Sequence, residues 1–85
     1  MKKSEVYDMV LDIILSHVDV PVYRDEINDD TFLDMIGVNS INFIRSVLDI
    51  EETLNFEFEP EYLGFDVFEK VGSLIKYVES KETVN

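Results

Sequence analysis

The sequence predicts an all-α fold: a small bundle of three principal helices and one short one, with a long first loop. Three observations lead there. Apolar residues recur at helical spacing in three separate stretches, near residues 4–17, 40–55 and 69–81. The one stretch with strand-like alternation, Phe56-Glu57-Phe58-Glu59, has no second strand candidate to pair with. The 85 residues, 46% of them hydrophobic, make one small domain spanning 1–85, with a core near the lower limit for folding without staples and no cysteine to supply a disulfide.

Helix one is predicted from an N-cap at Ser4 to about His17, with Glu5 favouring the positive end and Val6, Met9, Val10, Ile13, Ile14 and His17 on one face. His17 suits the negative end of the helix, and without a second histidine it is no metal pair. Glu5, Asp8 and Asp12 interrupt any apolar run after Met1-Lys2-Lys3, so neither a signal peptide nor a membrane span is expected, and the location expected is cytoplasmic. Residues 1–3 and 82–85 are expected to fray.

Val18 to Gly37 is a long connection, and Val20, Val22, Ile27, Phe32, Leu33, Met35 and Ile36 are expected to pin it. Its acidic run from Asp25 to Asp30 does not fit an EF-hand, because Ile27 and Asp30 occupy the third and sixth places. No dedicated metal site is expected, and loose divalent binding stays open.

Helix two is predicted from Ser40 to about Asn55 and carries two apolar stripes. Phe43, Val47, Ile50 and Leu54 form a core-facing line, whereas Ile41, Ile44 and Leu48 form a second line confined to the end near Ser40. Asn42, Arg45, Asp49 and Glu52 occupy the polar side, with Glu51 at another edge. A short helix from Glu61 to Leu63 follows, with Pro60 in its first turn and Gly64 as its stop, and Phe65, Val67 and Phe68 pack down after it. The last helix starts between Glu69 and Val71, buries Val71, Leu74, Ile75 and Val78, and places Lys76 and Lys81 towards its C-terminal end.

The chemistry is concentrated at Ile36-Gly37-Val38-Asn39-Ser40-Ile41. A small-residue turn here delivers the Ser40 hydroxyl to the start of helix two, where unpaired N–H groups and a positive dipole would stabilise an anion on that oxygen. Asn39 and Ser40 are also both ordinary N-cap residues, and capping is the simplest role for either. A nucleophilic serine needs a general base, but the only histidine is His17 and no Gly-x-Ser-x-Gly elbow surrounds Ser40. A hydrolase is therefore not expected.

With Ile44, Val47, Leu48 and Leu54 after it, this stretch resembles the acyl carrier and peptidyl carrier protein family around its attachment serine. The likeness continues through Phe58, Pro60-Glu61-Tyr62-Leu63 and Phe68 to Val78, and reaches back to Asp29-Asp30-Thr31-Phe32-Leu33. The resemblance implies an acyl-carrier-like bundle without catalytic activity. It makes Ser40 the attachment site of 4′-phosphopantetheine, transferred from coenzyme A by a phosphopantetheinyl transferase with Mg²⁺. Acyl groups would travel as thioesters on the arm, whose thiol this cysteine-free chain cannot itself supply. Partner enzymes would dock at Asn39, Ile41, Ile44, Arg45, Leu48, Glu51 and Glu52.

Nineteen acidic against seven basic residues give a formal charge of −12, which opposes nucleic acid and anionic lipid and steers the chain towards basic protein faces. The resemblance is broken at Asn39, Asn42 and Arg45, where housekeeping fatty-acid carriers typically have acidic residues. That favours a carrier with a dedicated partner set, in a specialised fatty acid or polyketide-like pathway; a monomer is expected. The alternatives are an aminoacyl or peptidyl carrier of a nonribosomal-peptide or D-alanylation system, and an acidic helical adaptor with no prosthetic group.

Overall fold

The computed structural model describes residues 2–82. Among these the chain forms three α-helices, α1 (Lys3–His17), α2 (Ser40–Leu54) and α3 (Val71–Glu82), with short 3-10 turns at Arg24–Glu26, Leu33–Ile36, Pro60–Tyr62 and Phe65–Val67 between them. Lys3 is the first residue of α1 and Glu82 the last of α3, while Met1 and residues 83–85 lie outside the described residues. No strand forms among the described residues, and the alternating stretch from Phe56 to Glu59 is irregular, with only Phe58 buried.

The apolar lines meet as their spacing requires. Val6, Val10, Leu11 and Ile14 of α1 are buried with Phe43, Val47 and Ile50 of α2 and with Val71, Leu74, Ile75 and Val78 of α3. Leu54 packs against this core from its edge, as do Tyr7, Ile13, Tyr62 and Tyr77. Leu11 belongs to the core although it lies outside the face read from the sequence. An aromatic cluster holds the α2–α3 connection: Phe68 lies 6.2 Å from Phe43 and 6.3 Å from Phe58 between ring centroids, and Tyr62 stacks on Tyr77 at 4.5 Å.

Several boundaries differ from the sequence reading, each for a physical reason. Helix α1 is capped at Lys2, not Ser4: the Lys2 carbonyl accepts the first helical N–H groups, and the Lys2 N–H donates to the Glu5 carboxylate at 3.2 Å. The short helix after Pro60 closes at Leu63, whose N–H returns to the Pro60 carbonyl, so Gly64 keeps φ −89° and is not a helix stop. Val67 is exposed rather than packed down, Phe68 is buried, and the side chain of Phe65 lies outside what the structure describes.

The long first loop is pinned at Ile27, Leu33 and Ile36, whereas Val20, Phe32 and Met35 face outward. Arg24 ties the loop to α1 by pairing with Asp8 and Asp12. The loop also closes the start of α3: the Thr31 carbonyl accepts from Val71 N–H and the Asp29 carbonyl from Gly72 N–H, both at 2.9 Å, while Leu33 N–H donates to the Glu69 carbonyl. These bonds satisfy helix N–H groups that no local side chain reaches.

Candidate functional site

The turn into α2 is set by two residues. Gly37 takes φ +91°, in the left-handed region, and a Cβ there would lie 2.8 Å from Val20 Cγ2, so both the backbone and the space call for glycine. Val38 follows as a buried anchor. The chain then reaches Asn39 in an extended conformation, and helix α2 begins at the next residue.

Asn39 is the cap. Its Oδ1 accepts from the N–H of Ile41 at 2.9 Å and of Asn42 at 3.0 Å, and its own N–H donates to Asn42 Oδ1 at 2.7 Å. Asn42 Nδ2 donates to the Gly37 carbonyl at 2.9 Å, which welds the cap to the glycine turn. This corrects the placement of Asn42 on the polar side of the helix: it is only 8% exposed and braces the site from within. Ser46, one turn on, is also buried and donates to the Asn42 carbonyl at 2.9 Å.

Ser40 is the first residue of α2 and is exposed, and among the described residues its hydroxyl has no hydrogen-bond partner. Its own N–H is the one amide of the first turn left uncommitted. The expectation of several open amides is thus corrected, because the Asn39 side chain occupies those of Ile41 and Asn42. The dipole of a fifteen-residue helix still acts there.

Around Ser40 the second apolar stripe is solvent-facing: Ile41 is 70% exposed, Leu48 58% and Ile44 41%. The stripe is therefore not part of the core. Asn39, Arg45 and Glu52 are exposed beside it. Glu51 is half-buried and has a structural task, because its Oε2 accepts the Phe58 N–H at 2.7 Å. His17 Nε2 meets Asp49 Oδ2 at 2.5 Å and joins the end of α1 to the middle of α2. Asp49 stands nine residues beyond Ser40, or about 13 Å along the axis, so the lone histidine is not paired with the serine.

The bundle thus holds a free hydroxyl at the head of an amphipathic helix, bordered by exposed apolar side chains. The family is shown directly: the model described as "Phosphopantetheine attachment site" matches residues 10–78, and the chain belongs to the phosphopantetheine-binding carrier family. Members bind 4′-phosphopantetheine covalently on a serine and act as carriers rather than catalysts. Neither the curated proteins nor the solved structures gave a match. No helix among the described residues is long and apolar enough to cross a membrane.

Proposed function

We propose that this chain is a discrete acyl carrier that holds acyl intermediates as thioesters on a 4′-phosphopantetheine arm attached to Ser40, within a specialised fatty acid or polyketide-like pathway. The observation that carries this reading is a division of labour at the head of α2. Asn39 does the capping, which leaves the Ser40 hydroxyl exposed and unspent.

The other serines are less suited. The chain has six, of which Ser4 and Ser80 lie outside the matched residues. Ser16 donates to the Ile13 carbonyl, and Ser46 is buried and donates to Asn42. Ser73 is exposed, but among the described residues α3 carries no exposed large hydrophobic side chain, so no apolar stripe borders it. Ser40 alone combines a free hydroxyl with a docking-type surface.

The residues present fit the group. A phosphodiester on Ser40 Oγ places negative charge at the positive end of α2, with the Ser40 N–H as the nearest open donor. When bound, the arm supplies a terminal thiol, which a chain without cysteine lacks. The chain's own part is to hold the attachment oxygen in water on a rigid turn and to present Ile41, Ile44 and Leu48 beside it for reversible docking. The acidic field steers enzymes with basic faces, the phosphopantetheinyl transferase among them, towards this surface. The departure from housekeeping carriers reduces to Asn39 and Arg45, since Asn42 is turned inward, and Arg45 supports a dedicated partner set.

Incubation with coenzyme A, Mg²⁺ and a promiscuous phosphopantetheinyl transferase, followed by intact-mass measurement, tests the reading. The expected result is the gain of one arm by the wild type and none by Ser40→Ala. An unmodified wild type would instead support an acidic adaptor in which the helix start is only a cap.

A further inference from the structure

We infer that Arg45 selects the partner that docks on α2: an enzyme face that is basic at its rim but sets an Asp or Glu carboxylate beside an apolar socket for Ile41, Ile44 and Leu48. The inference rests on the carrier reading above and adds the partner's chemistry to it.

Arg45 is the only basic residue in α2 and is exposed. In helical register it stands four residues from Ile41, three from Leu48 and four from Asp49, so it borders the exposed apolar stripe. Within its own helix the natural counter-ion is Asp49, and that carboxylate is held by His17 Nε2 at 2.5 Å. Glu51 is engaged with the Phe58 N–H. Two other cations are spent internally, Arg24 on Asp8 and Asp12 and Lys81 on Glu59. Among the described residues Arg45 has no ion pair, although the chain carries a net charge of −12.

An apolar stripe that docks must shed its water, and a guanidinium at its edge is then desolvated as well. A partner that places a carboxylate there compensates the loss and fixes the register. A uniformly basic face sets like charge against Arg45 in the dehydrated zone and is rejected. Long-range attraction to basic surfaces and short-range rejection of those lacking the carboxylate together narrow the set of enzymes that bind productively.

The test begins by loading the wild type, Arg45→Lys and Arg45→Glu with phosphopantetheine and verifying the holo forms by mass. Failure of the wild type at that step contradicts the carrier reading itself, which keeps the two claims distinguishable. Each holo protein, carrying the photo-crosslinking residue p-benzoylphenylalanine in place of Leu48, is then irradiated in a lysate of the source organism, and the crosslinked peptides are mapped. The expected acceptor surface has an Asp or Glu beside apolar residues. Capture should fall about tenfold in Arg45→Glu, persist in Arg45→Lys, and return when the acceptor's carboxylate is changed to lysine opposite Arg45→Glu. Equal or stronger capture by Arg45→Glu, an acceptor face with Lys and Arg alone, crosslinking only to a second copy of this chain, or no capture by the wild type would each overturn the inference.

Discussion

The heads of α2 and α3 solve the same problem in opposite ways. At α2 the first N–H groups are closed from within, by the reciprocal Asn39–Asn42 pair and its bond to Gly37, all inside six residues. At α3 they are closed from outside, by the carbonyls of Asp29 and Thr31, about forty residues earlier in the chain. A locally closed start draws its cap bonds from residues 37–42 alone, although the Val38 N–H still ties the turn to the Leu33 carbonyl. It can hold one exposed hydroxyl in place while enzymes push on the helix. A start closed by a distant loop ties the bundle together instead and serves stability.

This contrast predicts where substitutions are felt. The largest effect is expected for Gly72→Ala, whose Cβ would stand 2.8 Å from both the carbonyl oxygen and the Cβ of Asp29. Backbone cannot yield as a flexible side-chain tip does, so a loss of about 2–3 kcal/mol in urea unfolding is expected. The rate of phosphopantetheine transfer per folded molecule should be unchanged. If that rate fell in step with stability, the two helix starts would not be independent.

Next comes Asn42→Ala, which removes the partner of the Asn39 N–H and of the Gly37 carbonyl, two part-buried hydrogen bonds. A loss of about 2 kcal/mol is expected, and here transfer to residue 40 should also slow. Asn39→Ala removes only the exposed half of the cap and should cost about 1 kcal/mol, with Asn39→Asp close to wild type. A transfer assay in which Asn39→Ala and Asn42→Ala match wild type would show that the cap does not position the serine. The smallest effect is general: moderate salt or Mg²⁺ should raise the melting temperature by screening the acidic surface. A flat or falling melting temperature across the titration would contradict it.

The same contrast explains what was legible beforehand. The two stripes of α2 could be told apart because 3.6-residue spacing alone separates Phe43, Val47 and Ile50 from Ile41, Ile44 and Leu48, and burial divides them along that line. The end of α2 was legible within a residue, since Asn55 takes φ 58°, a conformation asparagine tolerates at helix ends. Asn42 was misplaced because a polar residue in a helical pattern reads as outward. Its inward turn depends on the left-handed Gly37 aiming a carbonyl at it. The capping of α3 by the loop was illegible for a different reason, as no side-chain motif marks a bond between two distant backbones. Leu11 and the Tyr62–Tyr77 stack were missed likewise, because their burial follows from how three helices meet rather than from the period of one.

The central claim is that Asn39 caps α2 so that the Ser40 oxygen is free to bear the arm. Fragmentation mass spectrometry of the chain after reaction with coenzyme A and a phosphopantetheinyl transferase tests it most directly. The account predicts a phosphodiester-linked arm on residue 40 alone. An arm mapped to Ser73 or another hydroxyl, or a chain that stays unmodified under conditions that load a control carrier, would contradict it.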